Sequence, residues 1–213
     1  DAAVQTRMRL EMRTLVERAS RWLINNRRPP MDSESTVDFF GVLAQQVVTA
    51  LPELLGGREA DAFLARRDAL VAKGVPEDLA VRVAILPPAY QALNIVETAK
   101  RDHVDPIEVA RVHFALGERL GLSALVARIL ALPRDDRWQT MARAALRDDL
   151  HAVHARLTGE VLDAPSLPDW QETKGAALGR AAETIATICA DDDADLARMS
   201  VALRVVRSLL EAS

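Results

Sequence analysis

Asp148, His151 and His154 are the residues of this chain whose types and spacing come nearest to doing chemistry. A carboxylate and two imidazoles at i, i+3 and i+6 lie near one face of a helix, as carboxylate-bridged metal centres in helical bundles require. Such centres also draw several carboxylates from facing helices, usually through a second D/E-x-x-H copy, and the sequence has none. The trio therefore reads as an exposed histidine pair on a charged face. His103 follows Asp102 near a predicted helix end, where a protonated imidazole would favour the carbonyl dipole. His113 stands alone. Cys189, the single cysteine, has no histidine or basic residue near it in sequence and reads as a small buried apolar group rather than a nucleophile. Asp191, Asp192 and Asp193 could attract a divalent cation, but they fall where one helix must stop and the next be capped. Gly56-Gly57 follows no strand and belongs to no phosphate-loop pattern, so it reads as punctuation. Nucleophile elbows, metal-hydrolase motifs and nucleotide fingerprints are all missing. The sequence thus assigns no catalytic, cofactor-binding or metal-binding residue.

The element that must position the two histidines is Asp136–Val161. Trp138, Ala142, Leu146, Leu150, Val153, Leu157 and Val161 recur at steps of three and four, which predicts one apolar helix face. At 1.5 Å per residue this helix spans roughly 40 Å. Before it, residues 3–27 predict a long helix with Val4, Met8, Met12, Leu15, Ala19 and Trp22 inward. Arg7, Arg9, Arg13, Arg18 and Arg21 share it with Glu11 and Glu17 as a solvated face, and Arg27-Arg28-Pro29-Pro30 ends it. A second helix starts near Asp32–Thr36, with Ser35 and Asp38 as a loose capping box, is interrupted at Pro52 and stops at Gly56-Gly57. Arg58–Lys73 is a third, closed by Gly74. Pro76 opens a fourth that Pro87-Pro88 cuts, and Tyr90, Leu93, Val96 and Ala99 continue as a fifth. Asp105-Pro106-Ile107-Glu108 is the cleanest start in the chain. Gly121 closes that helix, and Ser123 is expected to cap a short one through Leu132. The segment 162–168 (DAPSLPD) reads as an exposed connection. A helix from Trp170 to about Ala190 and a last one with Leu196, Met199, Leu203, Val206 and Leu210 complete the chain. Gly117 and Gly121 have the spacing of a close-packing motif, but Glu118 and Arg119 stand between them. Gly175 and Gly179, set among alanines, could permit close helix–helix approach.

The expected fold is all-α, a multi-helix bundle of about nine or ten helices. Residues 1–161 would be the main bundle and 162–213 a C-terminal helical pair packed on the same domain. Composition agrees: 49% of the 213 residues are hydrophobic but only 4% aromatic, which suits close-packed helices and not a β-sandwich. A net charge of −4 gives no reason to expect nucleic acid or an anionic membrane. No run approaches the roughly 18 apolar residues of a membrane span. One cysteine fits a reducing, cytoplasmic setting. The start at Asp1, with no initiating Met and directly in a charged helix, reads as a cut from a longer polypeptide.

Several blocks resemble a known family. LAVRVAILPPAYQALNIVETAKR, VARVHFALGERLGL and DRWQTMARAALRDDL are similar to the C-terminal helical region of the large bacterial NAD-specific glutamate dehydrogenases. The opening RMRLEMRTLVERASRWLINNR matches the start of that region. Together they cover most of residues 6–161, and the last fifty residues match by position only. Asn94 stands where the family pattern has an aspartate. The resemblance implies a parent enzyme that converts L-glutamate to 2-oxoglutarate and ammonia with NAD as hydride acceptor. It places the cofactor domain and the catalytic lysine and aspartate upstream of residue 1, and none of those residues can be carried onto this sequence. It implies a non-catalytic domain, with NAD bound elsewhere in the parent, an upstream catalytic domain as partner, and a cytoplasmic homo-oligomer without nucleic acid or membrane. The alternatives are a freestanding helical regulator, which would want a compact basic helix-turn-helix, and a protein-interaction scaffold.

Overall fold

Local start and stop signals account for most of the layout seen in a computed structural model, which describes residues 2–26, 33–191, 193 and 195–211. Among them are twelve helices and no strand. The all-α class stands, and the excess over nine or ten has two sources. Pro87 sits in the first turn of an extra four-residue helix, and Lys174 breaks the helix expected from Trp170 to Ala190 into two.

The chain divides into two compact units, residues 1–111 and 112–213. The division falls inside a helix, and the connection after Val161 lies within the second unit.

The first unit contains α1 (Ala2–Asn26), α2 (Ser33–Leu54), α3 (Gly57–Val71), α4 (Glu77–Ala84), α5 (Leu86–Ala89), α6 (Ala92–Asp102) and the start of α7 (Pro106–Leu120). α2 packs on α6 and α3 on α4, burying Val47, Leu51, Phe63, Val83, Ile95 and Val96. α1 is less deeply seated than its pattern predicts. Val4 is buried, but Met12 is exposed. Arg18 holds α1 to the end of α5 by lying 4.1 Å over the Tyr90 ring. Ser35 sits inside the first turn of α2 and so is not its cap. Pro52 is accommodated within the last turn of α2, which runs on to Leu54.

His103 closes α6 with φ +57°, the left-handed region, and its N–H bonds to the Ala99 carbonyl. The backbone therefore sets its place, where the sequence suggested a charge on the helix dipole. Asp105 then caps α7 as read, accepting from the N–H groups of Ile107 (2.8 Å) and Glu108 (3.3 Å).

The second unit comprises the rest of α7, α8 (Leu122–Ala131), α9 (Arg137–Asp163), α10 (Leu167–Thr173), α11 (Gly175–Ala190) and α12 (Leu196–Ser208). Asp136 caps α9 through the Gln139 N–H at 2.8 Å, and the Gln139 side chain accepts from the Asp135 N–H in return. Leu146, Leu150, Val153, Leu157 and Val161 face a core shared with Leu125 and Ile129 of α8, Trp170 of α10, Leu178 and Ile185 of α11, and Met199 and Val206 of α12.

Trp138 does not join them. It is 72% exposed, because the three successive four-residue steps from Trp138 to Leu150 each advance about 40° past a full turn, so the Trp138 end has rotated off the buried arc.

Three long cationic side chains close the C-terminal ends of other helices. Arg128 donates to the Cys189 carbonyl (2.9 Å), Arg143 to Leu130 (3.0 Å) and Lys174 to Leu209 (3.0 Å). Each meets carbonyls that no intrahelical N–H can reach and the negative end of a helix dipole. Gly121 (φ +70°), and not Ser123, precedes α8. A Cβ at Gly175 or Gly179 would meet nothing within 4 Å, so neither mediates the close approach their spacing suggested.

A left-handed conformation costs an L-residue about 1 kcal/mol or more, a penalty that glycine escapes. His103→Gly should therefore raise the stability of the chain by about 0.5–1 kcal/mol in urea unfolding, and His103→Ala should not.

Candidate functional site: a buried histidine stack

The structure separates the three residues that the sequence grouped. Each three-residue step turns back about 60°, so Asp148 and His154 point about 120° apart around α9. Asp148 is exposed and bound to Arg147 at 2.6 Å. His151 is half-buried, and His154 is only 5% exposed. The expected exposed pair is thus overturned for His154, which lies on the edge of the buried arc.

Its true partner is His113 on α7, 41 residues earlier and 3% exposed. The two rings stack with centroids 3.6 Å apart and planes 21° from parallel. His113 stands alone in the sequence, and no local pattern joins it to a residue 41 positions away. The available signal was that His113 shares a helix with Ile107, Ala110 and Phe114 on its apolar side, which argues for burial.

Hydrogen bonds fix both tautomers. His154 Nε2 lies 2.9 Å from the His113 carbonyl oxygen, which can only accept, so Nε2 carries the proton. Thr158 spends its hydroxyl hydrogen on the His154 carbonyl at 2.9 Å. Its oxygen must then accept from His113 Nδ1–H at 3.2 Å. Thr158 is itself fully buried. Gly117 supplies the room: a Cβ there would sit 3.2 Å from Cε1 and 3.6 Å from Nε2 of His154. The Gly117-x-x-x-Gly121 spacing therefore does have a packing role at its first glycine, against a histidine ring.

Both imidazoles are held neutral. Burial first, then the neighbouring His154 and His151, keeps His113 well below its ordinary value of 6.5. Burial likewise pushes His154 down to about 3, with the His113 carbonyl opposing and His151 reinforcing the shift. The neutral, buried pair joins α7 to α9 through polar contacts.

Cys189 is half-buried, and Arg128 binds its backbone carbonyl. Asp191 ends α11 and pairs with Arg198 at 3.1 Å, while Asp195, whose carboxylate accepts from the Arg198 N–H at 2.9 Å, caps α12. Asp192 lies outside the described residues. Among the described residues no three His, Cys, Asp or Glu side chains converge as metal ligands. A dinucleotide phosphate wants a glycine-rich turn between strand and helix, and the all-helical described residues do not fit that group.

The described residues define an all-helical class of protein, with the histidine pair packed inside the second unit. The chain belongs to the family described as glutamate dehydrogenase, C-terminal, whose model matches residues 1–208. The NAD-specific glutamate dehydrogenase of Mycobacterium tuberculosis is 32% identical over 219 residues, covering 99% of this chain and 14% of that protein. Its namesake from Halomonas elongata is 35% identical over 159 residues, 75% of the chain and 10% of the relative. That of Pseudomonas aeruginosa is 32% identical over 220 residues, 100% of the chain and 14% of the relative. The chain therefore spans about one-seventh or less of the length of the curated relatives it matches.

Two outcomes test the histidine stack. The pair's folded pKa values lie below 6.5, so the unfolded state binds more protons as pH falls through that value, and stability is lost below it. Between about pH 6.5 and pH 5 His154, with its pKa pushed down to about 3, should remove about 2 kcal/mol, and His113 acts in the same direction. His154→Gln should flatten the slope of unfolding free energy against pH over that window. Gly117→Ala gains up to about 1 kcal/mol in helix propensity but overpacks the His154 ring by about 1–3 kcal/mol. It should destabilise the chain by about 1 kcal/mol, and a double-mutant cycle with His154→Ala should abolish that cost.

Proposed function

We propose that this chain is the non-catalytic C-terminal helical domain of an NAD-specific glutamate dehydrogenase. The parent would convert L-glutamate, NAD and water to 2-oxoglutarate, ammonia and NADH. The observation that carries this reading is the family match over residues 1–208, combined with relatives of which the chain covers only 10–14%. Cofactor binding and hydride transfer belong, on this reading, to the upstream part of the same polypeptide, as a cytoplasmic homo-oligomer.

What the domain contributes is mechanical. It offers rigid helices with cross-capped ends and a histidine stack, which suits buttressing a catalytic region or setting subunit arrangement. Among the described residues no single helix is long and apolar enough to cross a membrane.

Residues 1–213 expressed alone should give a strongly helical circular dichroism spectrum and no glutamate-dependent reduction of NAD. Turnover by the isolated chain would overturn the non-catalytic assignment. In the intact parent, deleting the domain should lower activity or change the sedimentation coefficient while an upstream dinucleotide site still binds NADH.

A further inference from the structure

The first two turns of α9 carry a large aromatic side chain that stays mostly in solvent. Trp138 is 72% exposed and Met141 49% exposed. With Ala145 and Ala152 they occupy exposed positions within about 60° of one another around the helix. The arc Leu146–Val161 is meanwhile buried on another side. α9 therefore carries apolar side chains on two faces, a pattern expected of a helix covered on both. Arg137 lies over the Trp138 ring at 5.7 Å from its centroid, and the tryptophan is still mostly exposed.

Large exposed tryptophans are costly to leave wet and are enriched as anchors at interfaces, where one such ring can dominate the binding energy. The occupant is indicated by size. Curated relatives carry about six-sevenths or more of their length outside the region this chain matches, so in the parent most of the available surface belongs to the same polypeptide.

We infer that the Trp138–Met141–Ala145 face of α9 is the docking surface for the remainder of the parent polypeptide, with Trp138 as its anchor in an apolar pocket. The inference rests on the proposed function for the existence of that parent. It requires no catalytic role for any residue of the face.

The test uses the intact parent enzyme with a photo-crosslinking residue, Trp138→p-benzoylphenylalanine. After irradiation, the adduct should map by mass spectrometry to a peptide outside residues 1–213. An adduct within residues 1–213 of a second copy would assign the face to self-association and overturn the inference, as would no adduct at all. Hydroxyl-radical footprinting of the unsubstituted enzyme gives an independent reading. Trp138 and Met141 should be oxidised at least tenfold more slowly in the parent than in the 213-residue chain, and equal rates would sink the proposal. Glutamate-dependent NADH formation by the same unsubstituted enzyme is assayed alongside. Its absence would remove the glutamate dehydrogenase assignment while leaving the docking result readable.

Discussion

The second unit depends on one constraint: a straight helix presents a fixed arc, and a core can form only where apolar residues stay within it. In α9 that arc runs from Leu146 to Val161 and meets α8, α10, α11 and α12. Burying a leucine or valine side chain there is worth about 1.5–3 kcal/mol. Five such side chains on one helix outweigh the end effects and surface pairs elsewhere on it. The three-residue step from Leu150 to Val153 keeps the stripe on target, since it turns back about as far as the four-residue steps overshoot.

His154 shows what happens at the margin of that arc. Position 154 is too near the core to stay wet, and a buried imidazole whose N–H found no acceptor would cost on the order of a few kcal/mol. Three devices meet that need together: the His113 carbonyl, the His113 ring and the missing side chain at Gly117. Thr158, one turn on, completes the set by satisfying His113. The pair is a solved problem of burial. Its cost is a proton liability below the ordinary histidine range.

Much of this was legible in the sequence, because it rests on local rules. Asp105 with Pro106 names its helix start by chemistry that acts over three residues. The all-α class follows from composition and periodicity. What could not be read depends on partners far away in sequence. Arg128 and Cys189 are 61 residues apart, and His113 and Thr158 are 45 apart. Trp138 was misplaced for another reason. A stripe with mostly four-residue steps looks continuous on the page while it rotates around the helix. Ser123 was misassigned because Gly121, in a left-handed conformation, starts α8 without a side-chain cap.

The borrowed caps carry a further consequence, for how the domain comes apart. α8 is closed by a side chain of α9, α11 by one of α8, and α12 by a residue just before α11. The end of each helix is thus held by another, in a chain of dependence from α9 through α8 to α11 and from there to α12. Fraying at one end takes away the partner that another end relies on, so partial melting gains little entropy before it loses contacts elsewhere. Helices that would be marginal alone are bound to a common fate. The second unit is built to open in one cooperative step and not helix by helix.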